Sequence, residues 1–309
     1  MQEKTFHTSV STVLITTIIS LAYLVISYFL VGYKIDQVIL VAIFNGCYYG
    51  SAITRKFILG FSVFIIYWVI YDYMKAFPNY RYATVHIADI YNFEKSLFGI
   101  HDNGVLITPN EYWLRHSSTT LDTICGAFYL CWIPVPMLFA LYLFFKYRDQ
   151  LILFWLTFVL VNFLGFIIYY TFPAAPPWYI QQHGFIFIAN TPGNTAGLAR
   201  FDAHFHVNLF KSIYSKGSNV FAAMPSLHSA YPMVVLYYAL KNKVGYLSIF
   251  FATVMLGIWF AAVYLSHHYV VDVLSGIITG IIGISLFNLL LNRSGWFKRF
   301  IATFQKVVL

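Results

Sequence analysis

The chain has 309 residues, 60% of them hydrophobic and only 10% charged, with a mean hydropathy of +0.71. A water-soluble domain carries about 25% charged residues, so a soluble fold is excluded, and the lack of short alternating strands excludes a β-barrel. The net charge of +8 is accounted for by basic residues flanking membrane segments rather than by a nucleic-acid surface, and Cys47, Cys125 and Cys131 sit in apolar stretches with no Cys-x-x-Cys pair or disulfide framework.

Residues 1–9 are polar and lead directly into a first apolar run, Val10–Val31, long enough to span a bilayer. It reads as a retained helix, not a cleaved signal. Further apolar segments follow at 36–53, 57–74, 122–145, 151–172, 221–240, 244–265 and 269–291. The expected fold is therefore all-α, a polytopic transmembrane helical bundle of about eight spans with a six-helix catalytic core. One membrane domain over 1–309 is expected, with extra spans in 1–56, the catalytic core in 57–292 and a basic cytoplasmic tail in 293–309. Two long segments, 75–121 and 173–220, lie outside the spans.

Eight spans put both termini on one side. That side collects 11 basic and 2 acidic residues, the other 8 basic and 9 acidic. The asymmetry makes the first side cytoplasmic. Both long segments and the link Ser266-His267-His268 then lie on the non-cytoplasmic face, and Pro225-Ser226-Leu227-His228-Ser229 falls near that end of its own span.

His268 and Asp272 stand four apart at the start of a span, so they share a helix face. Asp272 can accept from one nitrogen of the His268 ring, which fixes the tautomer and frees the other nitrogen as a nucleophile. His267 is five from Asp272 and points away from that pair. Ala223-Met224-Pro225-Ser226-Leu227-His228-Ser229 reads as a helix start opened by proline. Free N–H groups there, with the hydroxyls of Ser226 and Ser229, suit a phosphate, and His228 can supply a proton. A packing His–Asp pair and a proline-kinked span are the competing readings. Taken together, two histidines, a carboxylate and a helix end on one face form the set that phosphoryl transfer requires. A metal site built from His228, His267, His268 and Asp272 is the weaker alternative, and no metal or cofactor is expected.

Pro225-Ser226-Leu227-His228-Ser229 and His267-His268-Tyr269-Val270-Val271-Asp272 resemble the second and third signature motifs of the type-2 phosphatidic acid phosphatase superfamily. Phe172-Pro173-Ala174-Ala175-Pro176-Pro177-Trp178-Tyr179 resembles the substitute first motif of one branch, which is similar to fungal inositol phosphorylceramide synthase. The run from Gly193 to Asp202 resembles that branch as well. The resemblance implies that His268 attacks phosphorus and becomes a phosphohistidine, that Asp272 orients it, and that His228 serves the leaving and incoming alcohols. It also places Pro177, Trp178 and His267 beside the substrate.

The phosphatase branch carries Ser-Arg six and seven residues before the nucleophile, where this chain has Ala261 and Ala262. A missing arginine suits a phosphodiester, which bears one charge fewer than a phosphomonoester. Arg200, Lys211 or Lys216 could supply a cation instead. Asp89, Glu94 and Asp202 could bond inositol hydroxyls. The expected partners are the membrane, a phosphatidylinositol-like donor and a ceramide-like acceptor. The alternatives are a lipid phosphate phosphatase, with water as acceptor, and a lipid transporter or binding protein, against which the lack of inverted-repeat halves counts.

Overall fold

The computed structural model describes residues 9–308 except 216 and 218. In chain order the elements are α1 (Val10–Val31), α2 (Ile35–Gly50), α3 (Ala52–Tyr73) and α4 (Ala88–Phe98), then a hairpin of β1 (Ile100–Asp102) and β2 (Val105–Ile107). Next come α5 (Pro109–Arg115), α6 (Thr119–Leu130), α7 (Pro134–Lys146), α8 (Arg148–Thr171) and the short helices α9 (Pro177–His183), α10 (Leu198–Phe205) and α11 (Leu209–Tyr214). The chain finishes with α12 (Leu227–Lys241), α13 (Leu247–Tyr264), α14 (Val270–Arg293) and α15 (Gly295–Val308).

Helix occupies each of the eight apolar segments. Five stretches, α1, Ala52–Ala76, α8, α13 and α14, are long and apolar enough to cross a membrane alone, and α6 with α7 makes a sixth as a pair bent by 41°. Pro134 and Pro136 fall at that bend, where a missing N–H breaks the ladder. The remaining two are short. α2 has 16 residues and α12 has 15, about 24 and 22 Å at 1.5 Å per residue, against a hydrocarbon core of about 30 Å. α12 begins six residues later than its apolar run because Pro225 restricts the residue before it to extended backbone. Residues 221–225 instead run beside residues 173–175, where Ala174 bridges both Ala222 and His86 in parallel.

The described residues form two compact units. One takes in α1–α3, residues 142–156 and α15. Its helices are tied by polar rungs: Thr16 bonds Tyr49, Asn45 Nδ2 donates to Ser20 Oγ at 3.0 Å, and Ser27 meets Tyr73 at 2.8 Å. The other takes in residues 78–141 and 157–293, and it holds every residue the motifs single out. There α12 packs against both α13 and α14, and α6 packs against α13 and α10. The β1–β2 hairpin turns on Asn103 and Gly104, both at positive φ (51° and 80°), the Asn-Gly signature of a tight turn. Thr108 and Glu111 then cap α5 reciprocally.

Candidate active site

The nucleophile candidate sits in a tight reversal between α13 and α14. The N–H groups of His267 and His268 both donate to the Ala262 carbonyl, at 3.1 and 3.0 Å, and Ser266 takes the left-handed conformation at φ 59°. In the first turn of α14, Asp272 is fully buried and its Oδ2 accepts the Tyr269 N–H at 2.8 Å. His268 Nδ1 lies 2.9 Å from the Ala223 carbonyl and 3.7 Å from Asp272 Oδ2. Spacing alone makes Asp272 the direct partner of His268, whereas in the structure the carbonyl holds the ring and the carboxylate stands behind it. A carbonyl only accepts, so Nδ1 carries the proton and Nε2 presents its lone pair.

That lone pair faces His228. His228 Nδ1 is 3.0 Å from His268 Nε2, and because Nε2 accepts, His228 Nδ1 is the donor. Its ring is held by the Tyr129 hydroxyl at 3.3 Å and by the edge of Trp132, with centroids 4.7 Å apart. His228 is the second residue of α12, whose N-cap is Ser226. Pro225 therefore precedes the helix rather than opening its first turn. The Ser226 N–H donates to the Asp272 carbonyl at 2.9 Å, which docks the start of α12 onto α14. Ser226 and Ser229 are fully buried and bond each other through their hydroxyls at 3.0 Å. The groups at this helix end suited to an anion are the first-turn N–H groups of Leu227 and His228.

The reversal carrying His268 is gripped from several sides. Trp178 N–H donates to Ser266 O at 3.1 Å, Gln181 Nε2 to Ser266 Oγ at 3.1 Å, and Gly197 N–H to Leu265 O at 3.0 Å. A Cβ on Gly197 would stand 2.9 Å from Leu265 Cα, so only glycine permits this approach. Asn110, fully buried on α5, donates Nδ2 to the carbonyls of His268 (2.9 Å) and Val263 (2.8 Å). Glu94, fully buried on α4, accepts the N–H groups of Val270 and Val271 at 2.9 and 3.0 Å. Burial pushes the Glu94 carboxyl up to about 7; the two N–H groups pull it down and the Asp272 charge raises it. Glu94 thus closes the N-terminus of α14, and of the two helix ends meeting here only that of α12 is left for a phosphate. Sequence reasoning missed Tyr129, Asn110 and the Ala223 carbonyl, and it placed Glu94 among possible inositol ligands. No local pattern marks any of them.

The other expected residues are distributed as follows. His267 is sandwiched between Tyr129 and Tyr214 at centroid distances of 5.0 and 4.7 Å, with Nε2 3.1 Å from the Thr195 carbonyl. Burial, with His268 adding to it, lowers His267 to about 3, so it is a neutral strut of the reversal. Pro177 and Trp178 are buried on α9. Arg200 donates Nε to Asp122 at 2.7 Å, and Tyr264 donates to the same carboxylate oxygen at 2.8 Å. Asp202 accepts the backbone N–H groups of Phe210 and Lys211 at 3.2 and 2.9 Å, which caps α11. Asp89 pairs with His86, Lys211 is exposed, and Lys216 lies outside the described residues. The structure thus gathers His228, His267, His268, Asp272, Ser226 and Ser229 in one cluster and engages Arg200 and Asp202 elsewhere. Among the described residues, no three His, Cys, Asp or Glu side chains are grouped to hold a metal ion.

Comparison with known proteins adds a family. A phosphoinositol dihydroceramide synthase of Bacteroides thetaiotaomicron is 42% identical over 297 residues, which is 95% of this chain and 97% of that protein. The inositol phosphorylceramide synthase catalytic subunit of Schizosaccharomyces pombe is 28% identical over 72% of this chain and 51% of its own length. The corresponding subunit of Saccharomyces cerevisiae is 36% identical over 38% of this chain and 29% of its own. No solved structure gives a significant match. The family model of the PAP2 superfamily matches residues 89–286, from the helix that carries Glu94 to the helix that carries Asp272, and the chain belongs to that superfamily.

Proposed function

We propose that this protein is a membrane-embedded phosphotransferase that moves inositol phosphate from a phosphatidylinositol-like donor to a ceramide-like or dihydroceramide-like alcohol. His268 Nε2 attacks the donor phosphorus, the bond from phosphorus to the diacylglycerol oxygen breaks, and the His228 proton goes to that oxygen. The product of this half is a phosphohistidine bearing the inositol phosphate, with its Nδ1–H held by the Ala223 carbonyl and its positive ring facing Asp272. His228, now without its proton, takes one from the incoming hydroxyl. That oxygen attacks phosphorus, the P–N bond breaks and His268 is restored.

The observation that carries this chemistry is the 3.0 Å approach of His228 Nδ1 to a His268 Nε2 whose partner ring nitrogen is tied to a carbonyl. A nucleophile with a fixed tautomer thereby faces a proton donor, and the two rings part to admit the phosphate between them. The first-turn N–H groups of α12 then lie beside the equatorial oxygens. Electrostatics supports a diester donor. Ala261 and Ala262 are fully buried where the phosphatase branch has Ser-Arg, and Arg200 already faces Asp122, so its field is largely neutralised. A singly charged phosphate requires less compensation than a dianion. The substrate classes rest on the names of the relatives. The charge asymmetry of the connecting segments supports an active face on the non-cytoplasmic side, with both termini cytoplasmic.

The test is to incubate the purified protein in detergent with phosphatidylinositol, with and without a ceramide or dihydroceramide, and resolve products by mass spectrometry. Inositol phosphorylceramide formed only with the acceptor is expected. Inositol phosphate released at the same rate with and without acceptor would replace transfer by hydrolysis.

A further inference from the structure

Residues 185–188, Phe-Ile-Phe-Ile, form a loop after α9 in which all four side chains are exposed, at 52, 69, 46 and 42%. Four consecutive outward apolar residues are a poor design for water. Part of the backbone beneath them is bonded internally. The fully buried Tyr179 hydroxyl donates to the Ile186 carbonyl and accepts the Ile188 N–H, both at 2.8 Å. Thr191 Oγ1 donates to the Ile188 carbonyl at 2.7 Å, and the Gly184 N–H is taken by Ile180 O at 2.9 Å. Ring contacts of Phe185 with Tyr91 (5.3 Å) and of Phe187 with Tyr80 (5.6 Å) and Phe221 (5.4 Å) set the loop's shape. Internal bonds at Ile186 and Ile188 beneath an apolar exterior lower the cost of placing non-helical chain against hydrocarbon.

The loop's level in the membrane follows from its attachments. α9 begins at Pro177, six residues after the end of α8, and Trp178 is bonded to Ser266 in the connection between α13 and α14. The loop therefore leaves the protein level with the ends of three spans, at the water boundary. The chain on either side of it is uncharged: residues 150–199 contain no Asp, Glu, Lys or Arg.

We propose that residues 185–188 are an interfacial anchor inserted into the acyl region of the leaflet facing the active site, and that they hold this leaflet against the substrate entrance. Adjacent residues of one short helix link the two functions, since Trp178 grips the His268 reversal and Tyr179 grips the loop. The role in substrate entry rests on the lipid-transfer reading above; the insertion does not.

The test uses the full-length protein with Cys47, Cys125 and Cys131 replaced by serine and a single Ile186→Cys labelled with an environment-sensitive fluorophore. It is reconstituted in phosphatidylcholine vesicles with or without doxyl-labelled phosphatidylcholine, and Asn103→Cys in the hairpin turn is the reference. Blue-shifted emission at 186, quenched several-fold more by doxyl lipid than at 103, is expected. Water-like emission, or quenching equal to the reference, places the loop in solvent and overturns the proposal. A blue shift that doxyl lipid does not quench assigns the loop to a protein contact and overturns it equally. This readout needs no turnover, so its failure is distinct from failure of the transferase reading. Separately, Ile186→Asp should raise the KM for bilayer-embedded acceptor about tenfold with kcat retained, from the lost apolar insertion. An unchanged KM in a variant that keeps its kcat refutes the role in substrate entry.

Discussion

Gly276 sits one turn beyond Asp272 on the face of α14 that receives α12. A Cβ built there stands 2.9 Å from the Ser226 carbonyl carbon, closer still to its oxygen, and 3.2 Å from Ser229 Cβ. Backbone cannot swing aside as a long side chain does, so Gly276→Ala must push the start of α12 outward by about 1 Å. Ser226 is the N-cap of α12 and His228 lies two residues on, so the His228–His268 distance of 3.0 Å opens with it. A displacement of about 1 Å in reacting groups costs about 100-fold in rate. Stability should change less, since the overpacking cost of about 1–3 kcal/mol is offset by about 1 kcal/mol of better helix propensity. Gly280→Ala is the control, one turn further along, where the nearest atom is the Sδ of flexible Met233 at 3.3 Å. We expect kcat for inositol phosphate transfer to fall about 100-fold in Gly276→Ala and less than about threefold in Gly280→Ala, with both proteins melting cooperatively in detergent. A Gly276→Ala enzyme at wild-type kcat would refute the claim that close docking of α12 on α14 sets the two histidines.

His268→Ala should abolish turnover, whereas Asp272→Asn should lose only about 100-fold. An orienting aspartate in a hydrolase triad is worth about 10⁴, but here the Ala223 carbonyl already holds the Nδ1 proton; equal losses in the two variants would make Asp272 the primary orienter. Glu94, at about 7 in the folded chain against an ordinary 4.5, keeps a proton that the unfolded chain gives up. Stability should therefore fall as pH rises from about 4.5 to about 7 and level off above, and Glu94→Gln should flatten that slope in thermal melts; an unaltered slope would mean another group titrates. Activity should persist in EDTA, since N–H groups and histidines perform the proposed steps, and full loss restored by one divalent ion would overturn the metal-free mechanism. In intact cells with the native cysteines replaced, Asn103→Cys should react with an impermeant thiol reagent and Lys241→Cys should not; the reverse pattern would invert the assigned orientation.

Local pattern determined much of this protein. Apolar run length placed helix in all eight predicted segments, because bilayer thickness demands about 20 apolar residues wherever a helix crosses. The four-residue spacing of His268 and Asp272 marked two residues that do lie close, at 3.7 Å, but His268 precedes α14 in the reversal, so they share no helix face. Pro225-Ser226 marked the start of α12, although the helix begins past the proline, where extended backbone satisfies Pro225. What only the tertiary structure decided is how the nucleophile is held. The carbonyl that fixes the His268 tautomer is 45 residues away, the amide that holds its backbone 158, and the carboxylate that closes α14 lies 176 from Val270. A carbonyl has no residue-type signature. An asparagine and a glutamate in short helices look like any solvated polar group until burial removes the water. Partners so distant in the chain meet because α4 and α5 pack onto α14 and α13 and because α12, α13 and α14 pack together, and that packing turns on contacts such as Gly276 against Ser226, which no periodicity encodes.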